Sequence, residues 1–378
     1  MLAMARTDTI PAATARGDER DRYVDFIRAF SLLVVVAWHW VFTIIVWEDD
    51  GPHASNPIGF TTGLWLATWL FQVMPLFFYV GGYGHLRSWE RAQRRGESIW
   101  QLVGRRLQRL AIPALALAGV WIVIGVVLSA VFEFAWIRRT VILVVSPLWF
   151  IAVYLMLVLL LPVMLWLHER FDTIVLVALA GGAGAVDILR FRESIGWLGL
   201  VSMVLVWGLC HQLGFFYERI VAARRTVDWT LMLGGLFALA GLVGSGLYPG
   251  SMVGVPGDRS NMAPPTLCIV ALVIFQAGLA EILRPAAERQ LARPRWERVN
   301  EVINRFALPL FLFHTTGMAL SRAVNYAIAG ETNEATEPTT SWWLYRPLGF
   351  VGPLLFTLPV IWLFGRRWIR SPTVPRPA

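Results

Sequence analysis

The first apolar segment of the chain carries ionisable side chains where a membrane helix normally has none. In "DFIRAFSLLVVVAWHW", residues 25–40, Asp25, Arg28 and His39 interrupt a stretch that is otherwise apolar. Arg28 and His39 are eleven residues apart, and at about 100° per residue this spacing closes to within about 20° of three full turns. Asp25 lies three residues before Arg28. All three side chains are therefore expected on one face of a helix.

The depth of His39 in a bilayer suggests chemistry. At about 1.5 Å per residue it lies roughly 16 Å deeper than Arg28, near the middle of a hydrocarbon core about 30 Å thick. Ionisable groups at that depth usually face a protein interior or a wet cavity and mark function. A neutral imidazole with a pKa near 6.5 can act as a general base that accepts the proton of a hydroxyl group. His39 is thus the candidate base, with Arg28 and Asp25 at the cytoplasmic entrance.

Alternative readings of these residues need no chemistry. Arg28 can extend its side chain to the inner headgroups, and His39 can hydrogen-bond between helices as part of the packing. A second cluster, Arg105, Arg106 and Arg109, is open to two interpretations in the same way. Guanidinium groups bind phosphate bidentately, which suits a phosphate-bearing ligand, but arginines also anchor the inner ends of membrane helices.

The composition indicates the elements that must hold these side chains. The chain is 57% hydrophobic and only 15% charged, whereas soluble proteins contain about 25% charged residues. We therefore expect an all-α, polytopic membrane protein that forms a single domain over residues 1–378, with polar cytoplasmic tails at 1–22 and 366–378. About ten transmembrane helices are expected, at 24–47, 60–86, 110–132, 143–166, 172–189, 197–217, 229–248, 264–284, 306–329 and 347–365.

The distribution of charge predicts the topology. All 33 basic residues are arginines, and most of them fall in alternate segments between the predicted spans, which places both termini in the cytoplasm. The first apolar segment has no cleavage site of small residues, so it is expected to remain as an anchor. Because the arginines form short clusters rather than one stripe, they give no reason to expect nucleic acid as a partner. "GGYG" at 81–84 predicts a close approach between helices.

Several segments of the chain resemble the acyltransferase 3 family of integral-membrane enzymes, and they occur in the same order as in the family. The family signature is a basic residue, ten intervening residues and a histidine, which Arg28 and His39 match. Further similarity extends from about residue 20 to 350. It is carried by "VMPLFFYVGGYGHLRSW", "RRLQRLAIP", "SPLWFIAVYL", "VDILRF", "WGLCHQLGF", "YPGSMVGVPGDRSNMAPPTL" and "RFALPLFLFH".

The resemblance implies a membrane O-acyltransferase of the bacterial cytoplasmic (inner) membrane. Such an enzyme would move an acyl group, most simply acetyl, from acyl-CoA on the cytoplasmic side to a hydroxyl of an envelope sugar or glycolipid. The resemblance assigns "RLQR" to the acyl-CoA side, where Arg105, Arg106 and Arg109 would bind the phosphates of coenzyme A. It also marks His314, His211, Gln212 and Asp187 as substrate or positioning candidates, although hydrogen bonding between helices would equally explain them. No metal is expected.

Ser260 and Asn261 precede Pro264, a pattern typical of a helix start, with contact to an outer acceptor as the alternative.

Two other functions stay open: a proton-coupled transporter or flippase in which Arg28, His39 and His314 form a relay, and a scaffold without activity. The sequence does not decide between direct transfer and an acyl-enzyme. It also does not indicate the acceptor, the acyl length or the oligomeric state.

Overall fold

The computed structural model describes residues 21–48, 51–193, 195–329 and 338–366, and nearly all of them are helical. The α-helices are α1 Arg22–Phe42, α2 Thr68–Phe71, α3 Met74–Arg94, α4 Ile99–Leu128, α5 Phe134–Val145, α6 Leu148–Leu159, α7 Leu161–Phe171, α8 Ile174–Glu193, α9 Leu198–Leu213, α10 Tyr217–Val221, α11 Arg225–Gly244, α12 Leu267–Leu291, α13 Pro294–Ala329, α14 Thr340–Tyr345 and α15 Val351–Val360. Two strands, β1 Ile44–Glu48 and β2 Gly51–Ser55, pair antiparallel.

Within the described ranges, eight segments are long and apolar enough to cross a membrane. They are Arg22–Phe42, Leu64–Arg94, Ile99–Leu128, Ile174–Glu193, Leu198–Val221, Arg225–Gly244, Leu267–Leu291 and Thr340–Gly365. A ninth forms if α5 and α6, bent by 48° relative to each other, count as one span. The predicted ninth span, 306–329, lies in α13, a helix of 36 residues that is not among these eight. The all-α polytopic prediction is confirmed.

Several predicted spans begin or end elsewhere than expected. The first helix ends at Phe42 rather than 47, because β-branched residues at 43–46 favour extended backbone, and β1 begins at Ile44. In the second, α3 begins only at Met74, preceded by the short helices Leu64–Ala67 and Thr68–Phe71. The fourth, 143–166, is divided between the end of α5, α6 and α7. Most of the predicted tails and of the loop at 330–343 lie outside the described residues.

Helix α1 runs unbroken through both Arg28 and His39, as the spacing predicts. It begins at a cap in which the Asp21 carboxylate accepts hydrogen bonds from the backbone of Tyr23 and Val24. Helix α13 lies beside it in parallel. The Asn300 and Asn304 side-chain amides donate to the carbonyls of Arg22 and Asp25, at 3.2 and 3.0 Å. Further along, the Trp40 indole donates to the His314 carbonyl at 2.9 Å. These contacts set the register of the two helices.

Helices α9 and α12 form the interior of the bundle, since about 72% of each span is buried, compared with 11% for α11. The predicted close approach at "GGYG" is found between α3 and the end of α9. A Cβ atom built on Gly82 would overlap the carbonyl oxygen of His211, whereas a Cβ on Gly84 would meet nothing within 4 Å. The backbones of α3 and α9 can approach this closely only because residue 82 is a glycine, which has no side chain.

We predict that Gly82→Ala lowers the thermal unfolding temperature in detergent, because α3 and α9 must separate to admit the methyl group. Gly84→Ala is the matched control. In open space, alanine favours a helix by roughly 1 kcal/mol over glycine, so this variant should unfold at the same or a higher temperature. Equal unfolding temperatures for the two variants would contradict the packing described here.

Candidate active site

A cavity of about 1410 Å³ lies between α1, α3, α4, α6 and α13. It exceeds the roughly 300–1,000 Å³ of ordinary small-molecule sites. Its walls include three acidic side chains, Asp21, Asp25 and Glu301. They also include eight arginines: Arg28, Arg87, Arg91, Arg95, Arg105, Arg106, Arg109 and Arg305. With this excess of positive charge, the cavity is suited to a large anion.

Three of these arginines are already engaged by carboxylates. Arg87 pairs with Glu90 at 2.7 Å. Arg95 and Arg105 both bind Glu97, which lies between α3 and α4, and hydrogen bonds from these two guanidinium groups lower the pKa of Glu97. The charge of these side chains is therefore already balanced before any ligand enters.

The other arginines lack such partners. In the described part of the chain, no carboxylate lies within 4.0 Å of Arg91, Arg106, Arg109 or Arg305. The carboxylate nearest to Arg28 is that of Asp25, only just within reach at 4.0 Å. Arg28, Arg91 and Arg109 all repel the charge of Arg106. Like charges held together without counterions are costly, and an incoming polyanion would relieve this cost.

We call Arg28, Arg91, Arg106 and Arg109 the arginine cluster. Ser88 contacts two of its members. Arg106 donates to the Ser88 Oγ at 2.6 Å, and Arg91 lies 3.5 Å from the same atom. Ser88 in turn donates to the Gly84 carbonyl. The Nε of Arg106 is buried and has no hydrogen-bond partner among the described residues. Guanidinium groups oriented in this way offer unused donors that fit the bidentate geometry of phosphate.

The three arginines predicted from the sequence all reach the cavity wall, but not in equivalent states. Arg106 and Arg109 remain available, while Arg105 is bound to Glu97 and its side chain is 52% exposed. Sequence reasoning missed Arg91 and Arg305, which α3 and α13 bring into the same cavity. The signal for Arg91 was present, because it follows Arg87 by four residues and therefore shares its helix face.

Two predicted histidines, one from α1 and one from α13, lie side by side. The rings of His39 and His314 are 5.0 Å apart between centroids and meet edge to face at 62°. His39 is half-buried and His314 is fully buried. The hydrogen bond from Trp40 to the carbonyl of His314 fixes one helix against the other at this level. We refer to His39 and His314 as the histidine pair.

Backbone carbonyls select the tautomer of both rings. The Nδ1 of His39 lies 2.8 Å from the Val35 carbonyl oxygen, and the Nδ1 of His314 lies 2.6 Å from that of Phe311. Because a carbonyl can only accept, each neutral ring carries its proton on Nδ1. Each Nε2 is then a free lone pair, and that of His314 has no partner among the described residues. The histidine pair therefore presents two unprotonated nitrogens capable of accepting a proton.

Three phenylalanine rings line the end of the cavity that is nearest to the histidine pair, and neither histidine lines the cavity. On α1 the deepest lining residue is Leu32, two turns before His39. The inner end is formed by Phe77, Phe150 and Phe311. The Phe311 ring lies 5.6 Å from that of His314, so one layer of side chains divides the two regions.

His211 and Gln212 lie elsewhere, in a second buried polar cluster. The Nε2 of His211 is 2.8 Å from the Nδ1 of His85 on α3. Both atoms of the Gln212 amide are buried without a partner in the described ranges. No group of three His, Cys, Asp or Glu side chains in these ranges could hold a metal ion. His85, which was not predicted, joins α3 to α9 near Arg106.

Asp187, Ser260 and Asn261 shape the connection between α11 and α12 instead of the cavity. The carboxylate of Asp187 accepts a hydrogen bond from the backbone N–H of Leu267 at 2.8 Å. It therefore caps α12, which begins at Leu267 and not at residue 264 as predicted. The Ser260 hydroxyl accepts from the backbone N–H groups of Met262 and Ala263, and the Asn261 amide donates to the carbonyls of Pro249 and Ser251. Their observed contacts are those of loop-forming residues.

A family model described as an acyltransferase domain, acyltransferase 3, matches residues 21–365. The match covers every element described above. No curated protein and no solved structure matches the chain.

We predict that pyrophosphate raises the thermal unfolding temperature of the wild-type protein by binding to the arginine cluster. Arg106→Gln should unfold at the same or a higher temperature without the anion, because repulsion is relieved. The rise on adding pyrophosphate should shrink, since charge-assisted hydrogen bonds contribute about 1.5–3 kcal/mol each. Arg105→Gln is the control and should retain most of the rise. An Arg106→Gln protein with an undiminished rise would show that this cluster is not the anion site.

Proposed function

Because the chain belongs to the acyltransferase 3 family and is a membrane acyltransferase, we propose that it transfers acetyl from acetyl-CoA to a hydroxyl of an envelope sugar or glycolipid. The observation that carries this proposal is the order of features along α1. A cavity lined with arginines surrounds Arg28, and two histidines with free Nε2 atoms lie beyond its inner end.

The arginine cavity suits the donor. Coenzyme A carries a pyrophosphate and a 3′-phosphate, which the unpaired guanidinium groups of Arg91, Arg106 and Arg109 can bind. Asp25 and Arg28, on the α1 wall, lie where the pantetheine arm would extend inward from the phosphates. In this proposal the cavity opens to the cytoplasm of a bacterial inner membrane, consistent with the clustering of arginines that also predicts cytoplasmic termini.

His39 is the proposed base. Its Nε2 takes the proton of the acceptor hydroxyl while the oxygen attacks the thioester carbonyl carbon. The carbon–sulfur bond then breaks, an ester forms, and the CoA thiolate leaves and receives the proton from His39. The Val35 carbonyl keeps the Nδ1 proton in place and favours the imidazolium during transfer. His314 offers a second lone pair that can accept a hydrogen bond from a neighbouring hydroxyl of a polyol acceptor.

Side chains around the histidine pair support direct transfer. Thr315 donates to the Val144 carbonyl, and the Thr316 hydroxyl accepts from the Trp121 indole. Both hydroxyls next to His314 in the chain are therefore engaged. The two cysteines, Cys210 and Cys268, are buried on α9 and α12 rather than on α1 or α13.

We predict that His39→Gln lowers acetyl-CoA turnover by about 10²- to 10⁴-fold, the usual effect of losing a general base. The purified protein would be assayed for CoA release in the presence of membranes from the native organism as the source of acceptor. His168→Gln serves as the control, because His168 contacts Phe215 and Phe216 and lines no part of the cavity. It should retain wild-type turnover.

Other outcomes would point to other functions. Full acceptor-dependent turnover by His39→Gln would refute the role of His39. Substrate flux in proteoliposomes without CoA release would favour a transporter or flippase. Labelled acetyl that stays on the protein in the absence of acceptor would indicate an acyl-enzyme instead of direct transfer. Comparing the envelope lipids of a deletion strain with those of the parent, and looking for a species lighter by one acetyl group, would identify the acceptor.

A further inference from the structure

The inner end of the arginine cavity is apolar, in contrast to its entrance. Phe77 on α3, Phe150 on α6 and Phe311 on α13 are the lining residues nearest to the histidine pair on their helices. The rings of Phe77 and Phe150 are 5.0 Å apart, and those of Phe150 and Phe311 are also 5.0 Å apart. Both pairs meet edge to face, an arrangement that favours close contact between aromatic rings. We call these residues the phenylalanine wall.

The position of the wall relative to the proposed chemistry is informative. Phe311 lies one helical turn before His314, and its own carbonyl fixes the His314 tautomer at 2.6 Å. Phe150 is buried, in the first turn of α6, immediately after the 48° break from α5. Reacting atoms must approach to about 3–3.5 Å. A thioester delivered through the cavity therefore places its acyl group against these rings.

We infer that the phenylalanine wall sets the length of the acyl group, limiting it to acetyl by filling the space that a longer chain would occupy. This inference rests on the proposed function. Protein interiors are close-packed, so a longer acyl chain has to displace a ring or stay out of reach of His39. One additional methylene in an apolar pocket commonly changes kcat/KM by about 10- to 200-fold.

Phe150 is the most informative position to change. Its ring contacts both other members of the wall, so removing it opens the largest continuous space beside the acyl group. Phe311 is less suitable, because its backbone holds His314. Phe78 provides a matched control: its ring also contacts Phe150, at 5.3 Å, but it lies behind the wall and lines no part of the cavity.

The experiment measures kcat/KM for acetyl-, butyryl- and hexanoyl-CoA by CoA release, with native membranes as the acceptor source. Wild type should prefer acetyl-CoA over butyryl-CoA by about 100-fold or more. Phe150→Ala should reduce this ratio by at least about tenfold, and Phe150→Leu by less. Phe78→Leu should leave it unchanged. Because all donors are compared on one preparation, the ratio does not depend on how much of a variant is folded.

The results separate this inference from the function on which it rests. If wild type releases CoA from none of the three donors, the proposed function fails. If wild type uses acetyl-CoA but Phe150→Ala keeps the same preference, the function stands and the role of the wall is wrong. Wild-type turnover of hexanoyl-CoA as fast as acetyl-CoA would overturn the inference in the same way. Should Phe150→Ala not be recovered, Phe150→Leu provides the same comparison with a smaller expected change.

Discussion

The fixed register between α1 and α13 is the constraint on which the candidate site depends. Asn300 and Asn304 bind carbonyls of the first turn of α1, and Trp40 near the other end binds the carbonyl of His314. Because each bond uses a backbone atom, it fixes position along the helix rather than only proximity. The same register keeps Arg28 in the cavity wall and brings His39 opposite His314. A one-turn slip of α1 would move its residues by about 5.4 Å and break both relations.

Electrostatics and packing divide the site into two regions with opposite requirements. The arginine cluster around Ser88 concentrates positive charge where carboxylates balance only part of it, so this region is suited to binding an anion. The histidine pair instead depends on neutral rings in which Nδ1 is bound to a carbonyl and Nε2 is free. Because the histidine pair lies beyond the inner end of the cavity, the guanidinium group of Arg28 is about three turns of α1 from His39. Such charges, if close, would oppose formation of an imidazolium.

Some of this arrangement could be predicted from the sequence because it depends on spacing within one helix. The eleven-residue interval predicts that Arg28 and His39 share one face, and the spacing of Arg106 and Arg109 within α4 offers an anion site as one of two interpretations. Contacts between distant segments could not be predicted, such as those of Arg106 with Ser88 and of Asp187 with the start of α12; the proximity of His39 and His314 was considered only as part of a possible relay. The hairpin after α1 was missed because its β-branched residues are as apolar as those of a membrane helix.

The phenylalanine wall gives physical meaning to the separation between cavity and histidines. A base that can activate a sugar hydroxyl can equally activate water, and hydrolysis would then consume the thioester without acylating anything. In this proposal, rings in edge-to-face contact exclude water from the inner end of the cavity more effectively than polar residues would. In the proposed reaction the same three side chains would therefore limit both chain length and wasteful hydrolysis. These two forms of selectivity should consequently change together when the wall is opened.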